Sequence, residues 1–257
     1  MGGLKFECKM CGKCCRNMRG RTYRKYKVSP YIFMLTPPSL KTIGLFEWEL
    51  PALELHAKRL AISLRIKPDN VIWDQNSKNA IAITWNLDHD DCPFISDKNK
   101  CKIYDYRPLV CQTYPLMAVG LLQYINERRR EPFEIGLADC PNSVKLPFVE
   151  RTPLLFRPSS LFSTLFKVYG STFLGALRYD GASIIISEHL KKAVENGIIH
   201  PAVINKNAIK AILRSKPVGL FEFLQSKDII SKESVEKEIQ GIYNFTIKNL
   251  KKIIKGR

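Results

Sequence analysis

Eight cysteines, four of them within eight residues of one another, constrain the fold of this chain more than any other feature. The segment CKMCGKCC covers residues 8–15, and four single cysteines follow at wider intervals. In a reducing cytoplasm, thiols at such tight spacing indicate metal ligation before disulfides. The sequence therefore predicts loops that are held by metal. The eight candidate ligands are Cys8, Cys11, Cys14, Cys15, Cys92, Cys101, Cys111 and Cys140.

The first three cysteines are each separated by two residues. Cys-x2-Cys forms a tight turn whose two sulfurs can reach one ion, and a third cysteine three residues on continues that turn. Cys8, Cys11 and Cys14 are therefore predicted to form a three-ligand arm. Adjacent side chains usually diverge from the backbone, so Cys14 and Cys15 are expected to serve two sites or two atoms of a polynuclear centre.

The four later cysteines complete the ligand set in this interpretation. Cys92 and Cys140 each precede a proline, as does the last cysteine of the bacterial ferredoxin pattern. Zinc and iron–sulfur clusters both accept four thiolates, so spacing alone leaves both open. The three-cysteine arm favours an iron–sulfur cluster, of the 4Fe–4S type, over Zn²⁺. Inert zinc that only staples the fold, and disulfides without metal, are the alternatives.

The net charge is strongly positive, with 41 Lys and Arg against 24 Asp and Glu, or +17. The first thirty residues hold nine basic residues and a single acid, and the last ten hold five basic residues and no acid. Such a balance favours nucleic acid, anionic lipid or an acidic protein as a partner, although a charged surface often serves solubility alone. A zinc-stabilised module that binds nucleic acid or an acidic partner through the basic N-terminal loop and tail is therefore the alternative function.

The segment that precedes Cys92 is predicted to form a helix and then a β-hairpin. The Pro37–Pro38 pair indicates an irregular region before them. The helix is expected to begin near Pro51, and one of its faces carries Leu53, Ala57, Leu60 and Leu64. The hairpin, with one buried face, covers residues 70–88, with its turn at QNSK, and places Cys92 at a strand exit.

After residue 150 the cysteines stop and helical spacing dominates. Ser187 is predicted to begin a helix and Gly197 to end it. A basic amphipathic helix is predicted from Ser231 onward, with an apolar face of Val235, Ile239, Ile242, Leu250 and Ile254. The predicted fold class is α+β, mainly helical, with a small β-hairpin and metal-stapled loops in the N-terminal part. The predicted domains are a metal-binding domain at 1–150 and a helical region at 151–257.

The chain is expected to be cytoplasmic and to have no membrane span. Its N-terminus lacks the apolar core of a signal peptide. The longest apolar stretch, residues 108–125, is interrupted by Gln, Thr and a second Pro, which indicates buried core rather than a bilayer span.

Four blocks of sequence, in order, resemble a known family. FECKMCGKCC at 6–15, CPF at 92–94, CKIYDYRPLVCQTYP at 101–115 and CP at 140–141 resemble the CxxCxxCC, or YkgJ-like, cysteine-cluster family, which is described as zinc- or iron-chelating and often as containing iron–sulfur centres. The resemblance covers about the first 145 residues. It implies that all eight cysteines are metal ligands, and it says little about a reaction.

Flagellin lysine methylases belong to the same family and share these cysteine blocks. The resemblance implies S-adenosylmethionine as a further cofactor and a protein as substrate. The sequence shows no Gly-rich nucleotide loop and no Cys-x3-Cys-x2-Cys spacing, so methylation is a minority hypothesis. Redox work with a protein partner is the other reaction class that an iron–sulfur centre suggests.

Tyr104 and Arg107 lie inside one of the matched blocks and are the candidate cofactor-binding residues. An arginine beside thiolates can offset their charge, donate hydrogen bonds to sulfur or hold a substrate carboxylate. A salt bridge to Asp105 is the structural alternative. His56 and His89 are interpreted as structural residues rather than ligands.

Overall fold

The structure is a computed structural model that describes residues 5–18, 29–35, 43–119, 134–137, 140–144 and 158–254. The Pro37–Pro38 pair and most of the basic N-terminal loop, residues 19–28, lie outside these ranges. Two compact units are present. The first unit comprises Met1–Lys13, Tyr104–Ile184 and Lys237–Arg257, and the second comprises Cys14–Ile103 and Ile185–Glu236. The division at residue 150 stays a prediction.

The described residues mix helices with small sheets, which confirms the predicted α+β class. The helices are α1 (Leu50–Arg59), α2 (Leu109–Thr113), α3 (Pro158–Tyr169), α4 (Ser171–Glu195), α5 (Lys206–Arg214), α6 (Leu220–Gln225) and α7 (Lys232–Ile254). The strands are β1 (Phe33–Met34), β2 (Gly44–Leu45), β3 (Ile66–Pro68), β4 (Asn70–Trp73), β5 (Ala80–Ala82), β6 (Trp85–Leu87), β7 (Leu116–Val119), β8 (Glu134–Leu137) and β9 (Val218–Gly219).

A bent β-ribbon organises the second unit. Strands β4 and β5 pair antiparallel, with Ile72 opposite Ile81, which confirms the predicted hairpin. The ribbon bends where the Asp69 N–H donates to the Thr84 carbonyl at 2.8 Å. Beyond the bend, β6 pairs with β2 and β3, whereas β4 and β5 lie between β1 and β9. The second half of the predicted hairpin is therefore divided into β5 and β6, and the prediction of one buried face is wrong, because β5 is buried along its whole length.

Helix α1 begins as predicted, with Pro51 in its first turn, but it is shorter than predicted. Leu53 and Ala57 are buried on its inner face. Ala61 takes a left-handed conformation (φ 52°), and the Ile62 N–H donates to the Ala57 carbonyl at 2.9 Å, which closes the helix end. Leu60 is consequently exposed and Leu64 lies beyond the helix, so both assignments to the apolar face are wrong.

The C-terminal helices agree with the prediction except for the residue at which one of them begins. Ser187 lies inside the 25-residue helix α4 and does not begin a helix. Gly197 ends the α4 region as predicted, because its φ of 69° allows the Ile198 N–H to reach the Ala193 carbonyl. Helix α7 confirms the predicted C-terminal helix, and the Ser231 hydroxyl caps it by accepting from the Ser234 N–H.

The first unit contains α2, α3, the β7–β8 pair and most of α4. Its most buried apolar residues include Leu116, Leu165, Phe173, Ala176 and Leu177. Among the helices of the described ranges, none has the length and apolar character that crossing a bilayer requires.

Candidate metal centre

Cys14 and Cys15 lie together in the 3-10 turn Lys13–Cys15. Their Sγ atoms are 3.7 Å apart. This contradicts the expectation that the adjacent side chains diverge, because the tight turn directs both sulfurs to the same side. Two sulfurs that bind one tetrahedral ion at about 2.3 Å lie about 3.8 Å from each other. The pair therefore has the spacing of two ligands on one ion.

Cys92 contacts the same turn through its backbone and its side chain. The Cys92 N–H donates to the Cys15 carbonyl at 2.7 Å, and the thiols of the two residues are hydrogen-bonded. Cys92 is buried, and Pro93 follows it in the chain. These bonds hold the loop that enters Cys92 against the Cys14–Cys15 turn.

Cys101 closes a small loop that begins just after Cys92. A β-bridge joins Cys101 to Ile95, and the Ser96 N–H donates to the Lys100 carbonyl at 2.9 Å. Cys101 is close enough to act on the Cys15 thiol electrostatically. The second unit thus gathers four thiols, those of Cys14, Cys15, Cys92 and Cys101, from three loops.

The surroundings of Cys15 oppose its ionisation. The hydrogen bond from Cys14 lowers the pKa of Cys15, but the hydrogen bond to Cys92, burial, and the charges of Cys92 and Cys101 together raise that pKa to about 12. Four thiolates so close together repel one another unless a cation lies among them. A divalent ion would remove that repulsion, so this donor set fits a thiophilic metal.

The first unit holds the other four cysteines, and Cys8 lies beside the two candidate cofactor-binding residues. The Tyr104 hydroxyl is hydrogen-bonded to the exposed Cys8 thiol, and the Arg107 guanidinium stacks over the Tyr104 ring at 4.0 Å. Burial, together with Cys8, raises the pKa of Tyr104, and the Arg107 charge opposes that rise. Tyr104 and Arg107, from one matched block, therefore form a cluster with Cys8, from another.

Packing against α3 and α4 positions the remaining segments of the first unit. The Phe6 N–H donates to the Val168 carbonyl at 2.7 Å, and the Phe6 ring lies 5.4 Å from that of Tyr169. The Tyr169 hydroxyl donates to the Val144 carbonyl at 2.6 Å, in the turn that contains Cys140. Cys140 also contributes to a raised pKa of Tyr169, after burial, which is the larger cause.

Cys111 lies on α2, which approaches α4 closely. A Cβ added to Gly175 would lie 2.7 Å from the Gln112 carbonyl oxygen, so only glycine allows this approach. Cys11 is exposed, and Cys111 and Cys140 are partly buried. All eight cysteines are present as free thiols.

Cys15 contacts the thiols of both Cys14 and Cys92, but these side chains do not enclose a common point. Within the described ranges, no three His, Cys, Asp or Glu side chains are already placed to hold an ion. Metal binding by the second unit would therefore require at least one of the other cysteine side chains to rotate toward the Cys14–Cys15 pair.

The segment DHDD, residues 88–91, precedes Cys92 and forms a hydrogen bond and an ion pair within the second unit. His89 Nε2 accepts from the Arg65 N–H at 2.9 Å, and Asp88 pairs with Lys67 at 2.6 Å. His56, on α1, is partly buried. The bond to His89 supports its interpretation as a structural residue, and the interpretation of His56 stays a prediction.

Sequence reasoning missed Arg16, which follows the cysteine pair directly. Arg16 Nη1 donates to Asp91 at 2.7 Å, and its Nε and Nη2 donate to the Asn99 side chain at 3.2 and 2.9 Å. The Asn17 N–H and the Arg16 guanidinium hold the pKa of Asp91 below its usual value. The only signal in the sequence is adjacency, since Arg16 and Asp91 each neighbour a cysteine.

These features define the class of the protein as a metal-binding domain whose cysteines lie on loops. The family model described as "CxxCxxCC: Putative zinc- or iron-chelating domain" matches residues 7–135, and the chain belongs to this family. The predicted resemblance is thereby confirmed. No curated protein and no solved structure matches the chain.

Proposed function

We propose that the protein binds metal through thiolates and that Cys14, Cys15, Cys92 and Cys101 together hold one tetrahedral ion. The observation that carries this proposal is the 3.7 Å separation of the Cys14 and Cys15 sulfurs. The direct hydrogen bonds between Cys15 and Cys92 support it, because they bring the third ligand to the same turn.

The sulfur spacing bears on which metal is bound. In a 4Fe–4S cluster held by four cysteines, each iron takes one cysteine thiolate, so two sulfurs need not share an ion. A close pair is typical of one zinc, one iron or one iron of a 2Fe–2S cluster. The spacing therefore favours zinc or iron in such a site over the 4Fe–4S cluster favoured by the cysteine arm. A closed zinc site would stabilise the fold, and iron would add redox chemistry.

The first unit supplies Cys8, Cys11, Cys111 and Cys140 as a second ligand set in this proposal. Their number matches a second four-thiolate site. Arg107 and Tyr104 would act there on Cys8, since a hydrogen bond and a nearby positive charge both favour a metal-bound thiolate. Metal thiolates and free thiols persist in a reducing compartment, which supports a cytoplasmic location.

The test is metal and acid-labile sulfide analysis of protein purified without oxygen. Cys92→Ser should lose the metal of one site, because Cys92 is the buried ligand of the second unit. Ser226→Ala is the control, since the Ser226 hydroxyl donates to the Phe223 carbonyl at the end of α6, outside the cysteine-bearing loops. Wild-type protein without zinc or iron, or Cys92→Ser with the wild-type metal content, would refute the proposal.

The same material tests the reaction classes suggested by the resemblance. Iron with matching sulfide and a visible spectrum would direct work to redox titration with a protein partner. Methyl transfer from S-adenosylmethionine to protein lysine stays a prediction, and an assay with radiolabelled methyl groups tests it. Zinc without sulfide, and no transferred label, would leave a structural metal.

We propose nucleic acid binding as a second function, through the exposed face of α5. Lys206, Lys210 and Arg214 are exposed at intervals of four residues. No Asp or Glu occurs between residues 201 and 221. No carboxylate of the described residues pairs with these three cations. Like charges at this spacing destabilise a helix, and a phosphate backbone would relieve that cost.

Salt dependence of binding to labelled DNA and RNA tests this second function. Each lost phosphate contact lowers the slope of log affinity against log salt by about one, so a triple substitution of Lys206, Lys210 and Arg214 by Gln should lower it by about three. Lys232→Gln with Lys237→Gln is the control, because both lysines lie near glutamates on α7. Equal losses in both variants would refute this role, and equally tight binding to polyglutamate would assign the surface to an acidic protein.

A further inference from the structure

The proposed ligands of the second unit come from three loops that regular secondary structure does not join. Cys14 and Cys15 lie in a 3-10 turn, Cys92 lies in the segment after β6, and Cys101 closes the loop that follows. A metal site needs its ligands held closely, so these loops require a connection besides the metal.

One side chain connects all three loops. Arg16 directly follows the cysteine pair, and its guanidinium donates to Asp91, which directly precedes Cys92. The same guanidinium donates twice to the Oδ1 of Asn99, two residues before Cys101. The second Asp91 oxygen accepts from the Asn17 N–H at 2.8 Å, which adds a backbone tie beside the side-chain bonds.

We propose that Arg16 positions the three cysteine-bearing loops of the second unit and thereby sets their affinity for metal. The consequence for metal rests on the proposed function, whereas the positioning of the loops does not. Arg16 touches no thiol in this role, so it is a positioning residue and not a ligand.

The chemistry of the guanidinium explains why an arginine occupies this position. Its planar fork donates in several fixed directions, and a lysine ammonium on a flexible chain cannot reproduce bonds to both Asp91 and Asn99. The Arg16 and Asp91 side chains are about half exposed, at 47% and 46%. An exposed ion pair adds little to global stability, so removal of Arg16 should act on the loops rather than on the whole fold.

The metal arm of the test compares Arg16→Lys and Arg16→Met with wild-type protein by chelator competition for Zn²⁺. Both variants should bind about tenfold more weakly, the lower end of the effect of residues that support metal ligands. Lys67→Met is the matched control, because Lys67 forms a surface ion pair with Asp88 in the same unit. It should change affinity less than about twofold. Full affinity in Arg16→Lys would overturn the geometric role.

The second arm needs no metal and measures amide hydrogen exchange of Cys92 in the apo protein. The Cys92 N–H is bonded to the Cys15 carbonyl, so its protection reports whether the two loops stay together. Both Arg16 variants should exchange at least about threefold faster there, with exchange in α5 unchanged. Unchanged exchange at Cys92 would overturn the proposal even if affinity falls. If Cys92→Ser shows that no metal binds here, the proposed function fails and the exchange result alone decides the role of Arg16.

Discussion

The backbone N–H of His200 donates a 2.7 Å hydrogen bond to Asp74 Oδ1 across 126 positions of the sequence. Asp74 is fully buried, and its Oδ2 accepts from both the hydroxyl and the N–H of Ser77. This carboxylate therefore joins the end of β4 to the segment that leads into α5. The second unit depends on it to hold two distant parts of the chain together.

We predict that Asp74→Asn destabilises the protein by about 2 kcal/mol, because an amide nitrogen in place of one oxygen leaves buried donors unpaired. Urea unfolding followed by circular dichroism measures the loss. Glu54→Gln, an exposed acid on α1, should change the free energy of unfolding by less than about 0.5 kcal/mol. Equal effects of the two substitutions would contradict the role assigned to Asp74.

The same carboxylate predicts a pH dependence. Burial opposes ionisation of Asp74, but the hydrogen bonds from Ser77, His200 and Asn76 outweigh it and hold the pKa below the usual value. A lowered pKa in the folded state means that the contribution of Asp74 is complete above about pH 4 and is lost as pH falls through the folded pKa. The difference in unfolding free energy between wild type and Asp74→Asn should therefore shrink below about pH 4. A difference that grows on acidification would contradict this sign.

Local signals in the sequence predicted some elements well. The turn at QNSK and the start of α1 at Pro51 depend on neighbouring residues, so both were predictable. The end of α1 at Ala61 was not, because no glycine marks the left-handed residue there. The bend of the ribbon depends on a bond between Asp69 and Thr84, which hydrophobic alternation does not encode.

The candidate site also has features that the sequence predicted and features that it did not. Cysteine spacing identified all eight thiols, and their assignment as ligands stays a prediction. The adjacency of the Cys14 and Cys15 sulfurs was mispredicted, since it depends on the turn conformation and not on the residue types. The bonds of Arg16 to Asp91 and Asn99 were not predictable, because their partners are 75 and 83 positions away.

A partly buried carboxylate, that of Glu47, explains a glycine in the second unit. Glu47 accepts from the Phe221 and Glu222 N–H groups at 2.9 and 2.7 Å, at the start of α6. A Cβ on Gly219 would overlap the Glu47 carboxyl group. We predict that Gly219→Ala lowers the free energy of unfolding by about 1–3 kcal/mol, measured by urea titration.

Gly241 is the matched control for this substitution. It lies within α7, and an added Cβ there meets no atom within 4 Å. Gly241→Ala should raise the free energy of unfolding by about 0.5–1 kcal/mol, because alanine loses less backbone entropy in a helix. Destabilisation by both substitutions would show that the Glu47 contact is not what distinguishes Gly219.

Metal removal should lower thermal stability if thiolates bind a metal in the folded state. Because binding to the folded state stabilises it, each tenfold rise in free metal above the dissociation constant should add about 1.4 kcal/mol per site. Differential scanning calorimetry in buffered Zn²⁺ measures this. Cys92→Ser should lose part of the response, whereas Ser226→Ala should keep all of it.

Native mass spectrometry of anaerobically purified protein tests the central claim most directly, because it weighs the metal bound to each chain. We predict a bound mass that corresponds to individual metal ions or to a 2Fe–2S cluster. In Cys92→Ser, the mass of the metal at one site should be missing. A chain that carries no metal, or one that carries a four-iron cluster unaffected by Cys92→Ser, would contradict a shared ion at Cys14 and Cys15.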